Sequence, residues 1–328
     1  MLPAVIAHAD WGASPKKRWI AVATLAENGV YIANKTEQVC KTGYLLADLR
    51  IRAGGKGPVL VGFDFPIGIP AYFAHMAGIV DFLSWLPKLG SGVWREFFAV
   101  AETPEQISLF RPFYPQRNYI LKSDPDRNQV RQRHLLEAMG ATEMNQIRRL
   151  CETGHQHRRA ACPLFWTLGA QQVGKAAIAG WKEVLAPTLA DPTLKLQIWP
   201  FSGPLADILA NDTIVAMETY PAEFYHQLGI TFAKAHRGEK SGKRVQAERA
   251  KNAAKLLACA AQLDLNLEQG LVLEITHGFG TNPDGEDRFD AFVGLLGMLK
   301  VLRSPDGIQE PEDLHLRKIE GWIFGQSL

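Results

Sequence analysis

Only four of the 328 residues are cysteine. Cys40, Cys151, Cys162 and Cys259 show no paired spacing, which argues against a disulfide framework and for reduced thiols in a cytoplasmic protein. Charge of one sign is lacking as well. Thirty-six basic and 34 acidic residues leave a formal net charge of +2, so the chain as a whole does not announce a polyanion binder and any basic surface must be local. No apolar run reaches the length of a membrane span. No basic segment leads into an apolar one at the N-terminus, so no signal peptide is expected. Tandem repeats and long low-complexity tracts are missing. So is the spacing of a zinc finger: Cys151, His155, His157 and Cys162 match no common pattern, and Arg158-Arg159 stand among them. What the chain does have is an apolar fraction of 47%, ample for a core.

The opening run Ala4 to Asp10 reads as a buried strand that ends on a carboxylate. Gly12 lets the backbone turn, and Trp19 to Leu25 returns beside it. A third strand is expected over 30–39, after the Asn28-Gly29 turn. Tyr44 to Arg52 has helical spacing and stops at Gly54-Gly55. Pro58 to Asp64 is a second continuous apolar run ending on an acid, as in a strand covered on both faces. Leu196 to Trp199 is a weak strand. Thr213 to Thr219 is a stronger one that carries Glu218 at its end, before the helix that Pro221 starts. The fold class is therefore α/β, an antiparallel meander joined to parallel strands.

Between residues 71 and 192 helical patterns take over, which suggests a large helical insertion within a single domain spanning 1–328. Basic residues gather at Arg111, Arg117, Lys122, Arg127, Arg131 and Arg133, and again at Arg148, Arg149, Arg158 and Arg159. Such charges usually mark a solvated face. Interleaved with Phe110, Phe113, Tyr114 and Tyr119, they would also suit a nucleotide or a polynucleotide, and the aromatics would equally suit a loop-rich core. Further on, 234–255 is rich in lysine and arginine. Its first part reads as a loop containing Gly238 and Gly242, its second as a helix. A helix over 287–302 is apolar on nearly every face, hence buried. Trp322-Ile323-Phe324 in the tail is expected to dock back.

That buried helix holds Asp287 and Asp290 three apart, on one face near its N-terminus. The helix dipole accounts for an acid in the first turn, but not for Asp290 in an otherwise apolar stretch. If Asp10, Asp64, Glu218 and Asp290 converge, each like-charged pair at about 5 Å and an effective dielectric of about 20 costs roughly 3 kcal/mol. Such a cluster needs raised pKa values or a cation. Oxygen donors alone suit Mg²⁺ or Mn²⁺ better than zinc, and such ions can clamp a phosphodiester and activate water. His8, two residues before Asp10 on the same strand face, reads as a core or cleft histidine rather than a base.

Asp10 on the first strand, Asp64 on a parallel neighbour and Asp287-Arg288-Phe289-Asp290-Ala291 on a late helix resemble the ribonuclease H-like fold, the last run being similar to the final acidic motif of Holliday-junction resolvases. More closely, the chain resembles a bacterial and archaeal family of unknown function predicted to be RNase H-like nucleases. The shared pieces are His8-Ala9-Asp10-Trp11-Gly12, Phe63-Asp64-Phe65-Pro66-Ile67-Gly68, Glu218-Thr219-Tyr220-Pro221-Ala222-Glu223, Lys240-Ser241 with Arg249, Asp290-Ala291 and Glu320-Gly321-Trp322-Ile323. They span nearly the whole chain in the expected order. The resemblance implies a nuclease with catalytic, metal-holding acids at Asp10, Asp64, Glu218 and Asp290. By the resolvase comparison Asp287 joins them as a ligand of Mg²⁺ or Mn²⁺. Lys240, Ser241, Lys243 and Arg249 would then face a nucleic-acid phosphate, DNA or RNA, or balance the carboxylates; a flexible surface loop is the alternative. Two other functions stay open. Asp10-x-Gly12-x-Ser14 resembles the first phosphate loop of the actin and hexokinase clan, although no second copy follows, and a non-catalytic nucleic-acid-binding module could keep the same fold.

Overall fold

A computed structural model describes residues 2–116, 127–156, 158–168, 172–233, 242–304 and 307–327, with the backbone alone for 127–130. They form an α/β protein with two compact units, one of Met1–Asp64, Asp191–Glu310 and Ile323–Leu328, the other of Phe65–Ala190 and Pro311–Trp322. Among the described residues no helix is long and apolar enough to cross a membrane.

The first unit is built on an eight-stranded mixed sheet. Its strands are β1 (Val5–Asp10), β2 (Trp19–Leu25), β3 (Tyr31–Ala33), β4 (Glu37–Gln38), β5 (Val59–Phe63), β6 (Leu196–Ile198), β7 (Ile214–Glu218) and β8 (Leu265–Leu267). They lie in the order β6-β7-β5-β1-β2-β3-β8, with β4 also paired to β2. β1, β2 and β3 form the antiparallel meander, while β5 runs parallel to β1, β7 to β5 and β6 to β7. β1, β5 and β7 are buried along their whole length, as unbroken apolar runs should be.

Two details differ from the sequence reading. The strand expected over 30–39 is two strands. Ala23 pairs with Ala33 and Ile20 with Glu37, so Asn34, Lys35 and Thr36 stand opposite Ala21 and Val22 alone. The extra residue is a bulge that interrupts the ladder. The other is β8, parallel to β3, which was not foreseen because three residues between two helices carry too little periodicity to read.

The helix Gly285–Arg303 packs on β1, β2 and β5, and it is buried without a break from Phe289 to Leu299. It comes closest where Gly294 crosses His8, since a Cβ there would lie 2.2 Å from the imidazole. The ring has no room to yield. It is fully buried, and its Nδ1 sits 3.2 Å from the carbonyl of Ala291. Gly294→Ala is therefore expected to destabilise the protein by about 1–3 kcal/mol through overpacking. A urea midpoint unchanged from the wild type would show that the helix can slide.

The second unit is mostly helical and starts at Phe65 rather than residue 71; it also takes in 311–322, which the sequence reading left in the tail. Its core is aromatic, with Trp85 edge-on to Phe97 at 4.9 Å and Phe82 to Trp181 at 5.2 Å. Several of the basic residues that suggested a charged face turn inward instead. Arg149 is fully buried. Its Nε donates to Glu152 at 3.0 Å, and its Nη1 to the carbonyls of Ile67 and Glu320, both at 3.1 Å. Glu320 in turn accepts from the backbone of Ala71 (2.8 Å) and Leu150 (2.7 Å). Gly68, at φ +127°, passes so close to the Glu320 carbonyl that a Cβ would stand 2.0 Å from it. Arg111, Arg148 and Arg158 likewise donate to backbone carbonyls, and Phe113 and Tyr114 are buried. These guanidiniums give the loop backbone charged donors. Arg117, Tyr119, Lys122 and His157 lie outside the described residues, as does the side chain of Arg127.

Candidate functional site

The acids of the first unit meet where the parallel strands end. Register puts them there: Ala9 lies beside Phe63 and Phe63 beside Glu218, while the Asp64 amide donates to the Ala9 carbonyl at 3.0 Å. Side chains alternate along a strand. Asp10 therefore shares the face of His8 that the Gly285–Arg303 helix covers, and Asp64 shares that of Gly62, whose added Cβ would meet Met298 of the same helix. From the helix, Asp290 arrives fully buried. Asp10, Asp64 and Asp290 thus come together from three distant points of the sequence.

Their electrostatics follow. Burial, then Asp290 and Asp64, push the Asp10 carboxyl well above the usual range, against the pull of Lys243. Asp64 is raised to about 7, first by burial and then by Asp290 and Glu218, with Lys243 and a hydrogen bond to Asp10 working the other way. Both shifts favour the protonated form of the carboxyl.

Four further side chains complete the patch. Tyr225 donates its hydroxyl to Asp290 Oδ1 at 2.6 Å, and Lys243 Nζ donates to Asp290 Oδ2. Lys17 Nζ donates to Asp287 Oδ2 at 2.9 Å and to the Pro283 carbonyl at 3.1 Å. Asp287, raised to about 6 chiefly by burial, is the outer member of the group. Lys17 and Tyr225 escaped the sequence reading. Lys17 follows Asp10 by one short turn, and a search for cations near unbalanced acids would have found it. Tyr225 carries no such signal.

The remaining expected residues are placed differently. Glu218 lies on the Phe63 side of the sheet, so it acts on Asp64 across the strand end, whereas the charges that act most on Asp10 are Asp290, Asp64, Lys243 and Asp287. Arg249 is buried and donates to the carbonyls of Gly278 (2.8 Å), Gly280 (2.7 Å) and Lys243, so its guanidinium braces backbone rather than facing a ligand. Lys240 and Ser241 lie outside the described residues. His8 is held near pKa 3 by burial, the Ala291 bond notwithstanding, and so stays neutral as a core residue.

The donor chemistry suits a hard dication: carboxylate oxygens in excess of the two lysines, and no thiol. Among the described residues, however, no three His, Cys, Asp or Glu side chains converge on one ion-sized point. Asp290 has both oxygens engaged by Tyr225 and Lys243, and Asp287 is turned to Lys17. Fit to a metal is thus met in composition and charge. Compared with models of protein families, with curated proteins and with solved structures, the chain finds no match.

Proposed function

We propose that this patch is the active centre of a divalent-metal-dependent nuclease of the ribonuclease H-like superfamily, acting on DNA or RNA. The observation that carries the reading is the convergence of Asp10, Asp64 and Asp290 in one place where burial and mutual repulsion keep protons on carboxyls. A fold does not keep such repulsion for stability's sake; it is the arrangement expected where charge is matched to a ligand. The strand order, an antiparallel β1-β2-β3 meander continued by parallel β5 and β7, supports the superfamily, as does the seating of Asp290 on a helix over that sheet.

Asp10, Asp64 and Asp290 would hold Mg²⁺ or Mn²⁺, with Asp287 and Glu218 as outer carboxylates. Bound there, such an ion lowers the pKa of water and polarises a phosphoryl oxygen. The chain's own residues orient and balance. Tyr225 fixes the rotation of the Asp290 carboxylate. Lys17 holds Asp287. Asp64, raised to about 7 without an ion, would give up its proton as the ion binds, so binding is expected to release protons and to strengthen with rising pH.

The test is a titration of purified protein with Mg²⁺ and Mn²⁺, followed by thermal unfolding and by cleavage of single-stranded, duplex, hybrid and branched substrates. A metal-dependent rise in Tm and cleavage lost in Asp10→Asn are expected. Absence of both would overturn the reading.

A further inference from the structure

We infer that Lys243 is a tethered counter-cation that stands in for a divalent ion among these carboxylates and must swing out before the ion can enter. This rests on the reading above, that Asp10, Asp64 and Asp290 take a dication.

Two kinds of contact define the residue. Its ammonium is bound to Asp290 Oδ2, and its charge also acts on Asp10 and Asp64, so one positive end serves three acids. Its backbone is pinned. Lys243 sits in the short turn Gly242–Arg244, and its carbonyl accepts from Arg249, itself fixed to Gly278 and Gly280.

The stem of the side chain reaches solvent while its ammonium end is buried among the acids. The side chain keeps 40% of its exposure, against 1% for the Asp290 carboxylate it touches. A purely structural buried pair looks different: Arg149 and Glu152 of the second unit are 0% and 3% exposed, and neither has a route to water. Rotation of that exposed stem would carry the ammonium from Asp290 to solvent while Arg249 holds the backbone of Lys243 in place.

Charge gives the exchange its direction. While Asp10 and Asp64 retain protons, the one ammonium balances little more than Asp290; a dication would displace those protons and match all three carboxylates. Departure of Lys243 also frees the Asp290 oxygen it now occupies. The lysine and the metal then compete for one place, and each lowers the other's apparent affinity by the same factor. Weakly held monovalent ions would fail to displace a tethered ammonium, so the lysine also serves as a threshold for occupancy.

Lys243→Met removes the charge and keeps the length of the stem. Titrated with Mn²⁺ and followed calorimetrically, this variant is expected to bind at least about tenfold more tightly than the wild type. Its metal-free Tm should lie below the wild-type value, and Mn²⁺ should close the gap. Equal or weaker Mn²⁺ binding by the variant, with binding by the wild type intact, would overturn the inference alone. No Mn²⁺ binding by either protein would overturn the metal reading and this inference with it. A measurement on the unmodified protein covers the case of a variant that does not fold. Amine acetylation read by mass spectrometry should find Lys243 slow in chelator and about tenfold faster at saturating Mn²⁺, with Lys300 as internal reference. Unchanged labelling of Lys243 in the Mn²⁺-bound protein would sink the proposal.

Discussion

Asparagine in place of Asp64 is expected to stabilise the metal-free protein at pH 8 by about 2–4 kcal/mol and to leave it nearly unchanged at pH 4. Folding raises this carboxyl from an ordinary 3.8 to about 7, with burial as the main cause and Asp290 and Glu218 adding to it. Between those two values the unfolded chain has lost the proton and the folded one has kept it. Stability must then fall as pH climbs through that interval, and above it the whole penalty is present. An amide has no proton to lose there, so the wild-type and variant curves should coincide in acid and separate towards pH 8. Urea unfolding at pH 4, 6 and 8 measures the separation. A gap of the same size at all three values would mean that the substitution acts by packing, and a less stable variant at pH 8 would mean that Asp64 is not under repulsion. The same substitution should lower metal-dependent cleavage by a factor of 10² or more, roughly the scale of removing one well-placed catalytic group.

Arg149→Met is expected to destabilise the second unit by about 3–5 kcal/mol, because it strands a buried carboxylate at Glu152. Two carbonyls, those of Ile67 and Glu320, lose their donor at the same time. The paired replacement of Arg149 and Glu152 by Met and Leu should recover much of the loss, since the cost of a broken buried pair lies mainly in the charge left behind. Tryptophan fluorescence in urea is weighted to this unit, which holds Trp85, Trp94, Trp166, Trp181 and Trp322 against Trp11, Trp19 and Trp199 in the first. A single-variant loss below about 1 kcal/mol would show that water reaches Glu152 and that the pair is not sealed.

These two substitutions mark where the sequence was legible and where it was not. Asp64 could be found because an acid closing an unbroken apolar strand is locally odd, and the same oddness picked out Asp10 and Asp290. Position along a strand predicts which end of the sheet a residue reaches. It does not predict which neighbour's face it shares, and so Glu218 was grouped with Asp10 although strand alternation puts it across the sheet. Arg149 was unreadable for the opposite reason. An arginine reads as solvated by default, and its burial is decided by carbonyls of Ile67 and Glu320 that lie far off in sequence. Arg249 misled in the same way: its donors go to loop carbonyls at Gly278 and Gly280, which no local pattern announces. The bulge at Asn34–Thr36 was hidden because a continuous β-like composition says nothing about register.

The placement of the strands along the chain also sets a timetable. β1, β2, β3 and β5 leave the ribosome within the first 63 residues, but β6 and β7 follow only after Phe65–Ala190 has been made. At about 5–20 residues per second that interval is roughly 7–30 seconds, whereas a hairpin forms in microseconds. Throughout it, β5 is a bare hydrophobic border with no hydrogen-bonding neighbour on its outer side, a ready template for the wrong chain. The half-made protein is thus its own most aggregation-prone form. Yield in a cell should therefore respond to translation speed and to holdase supply.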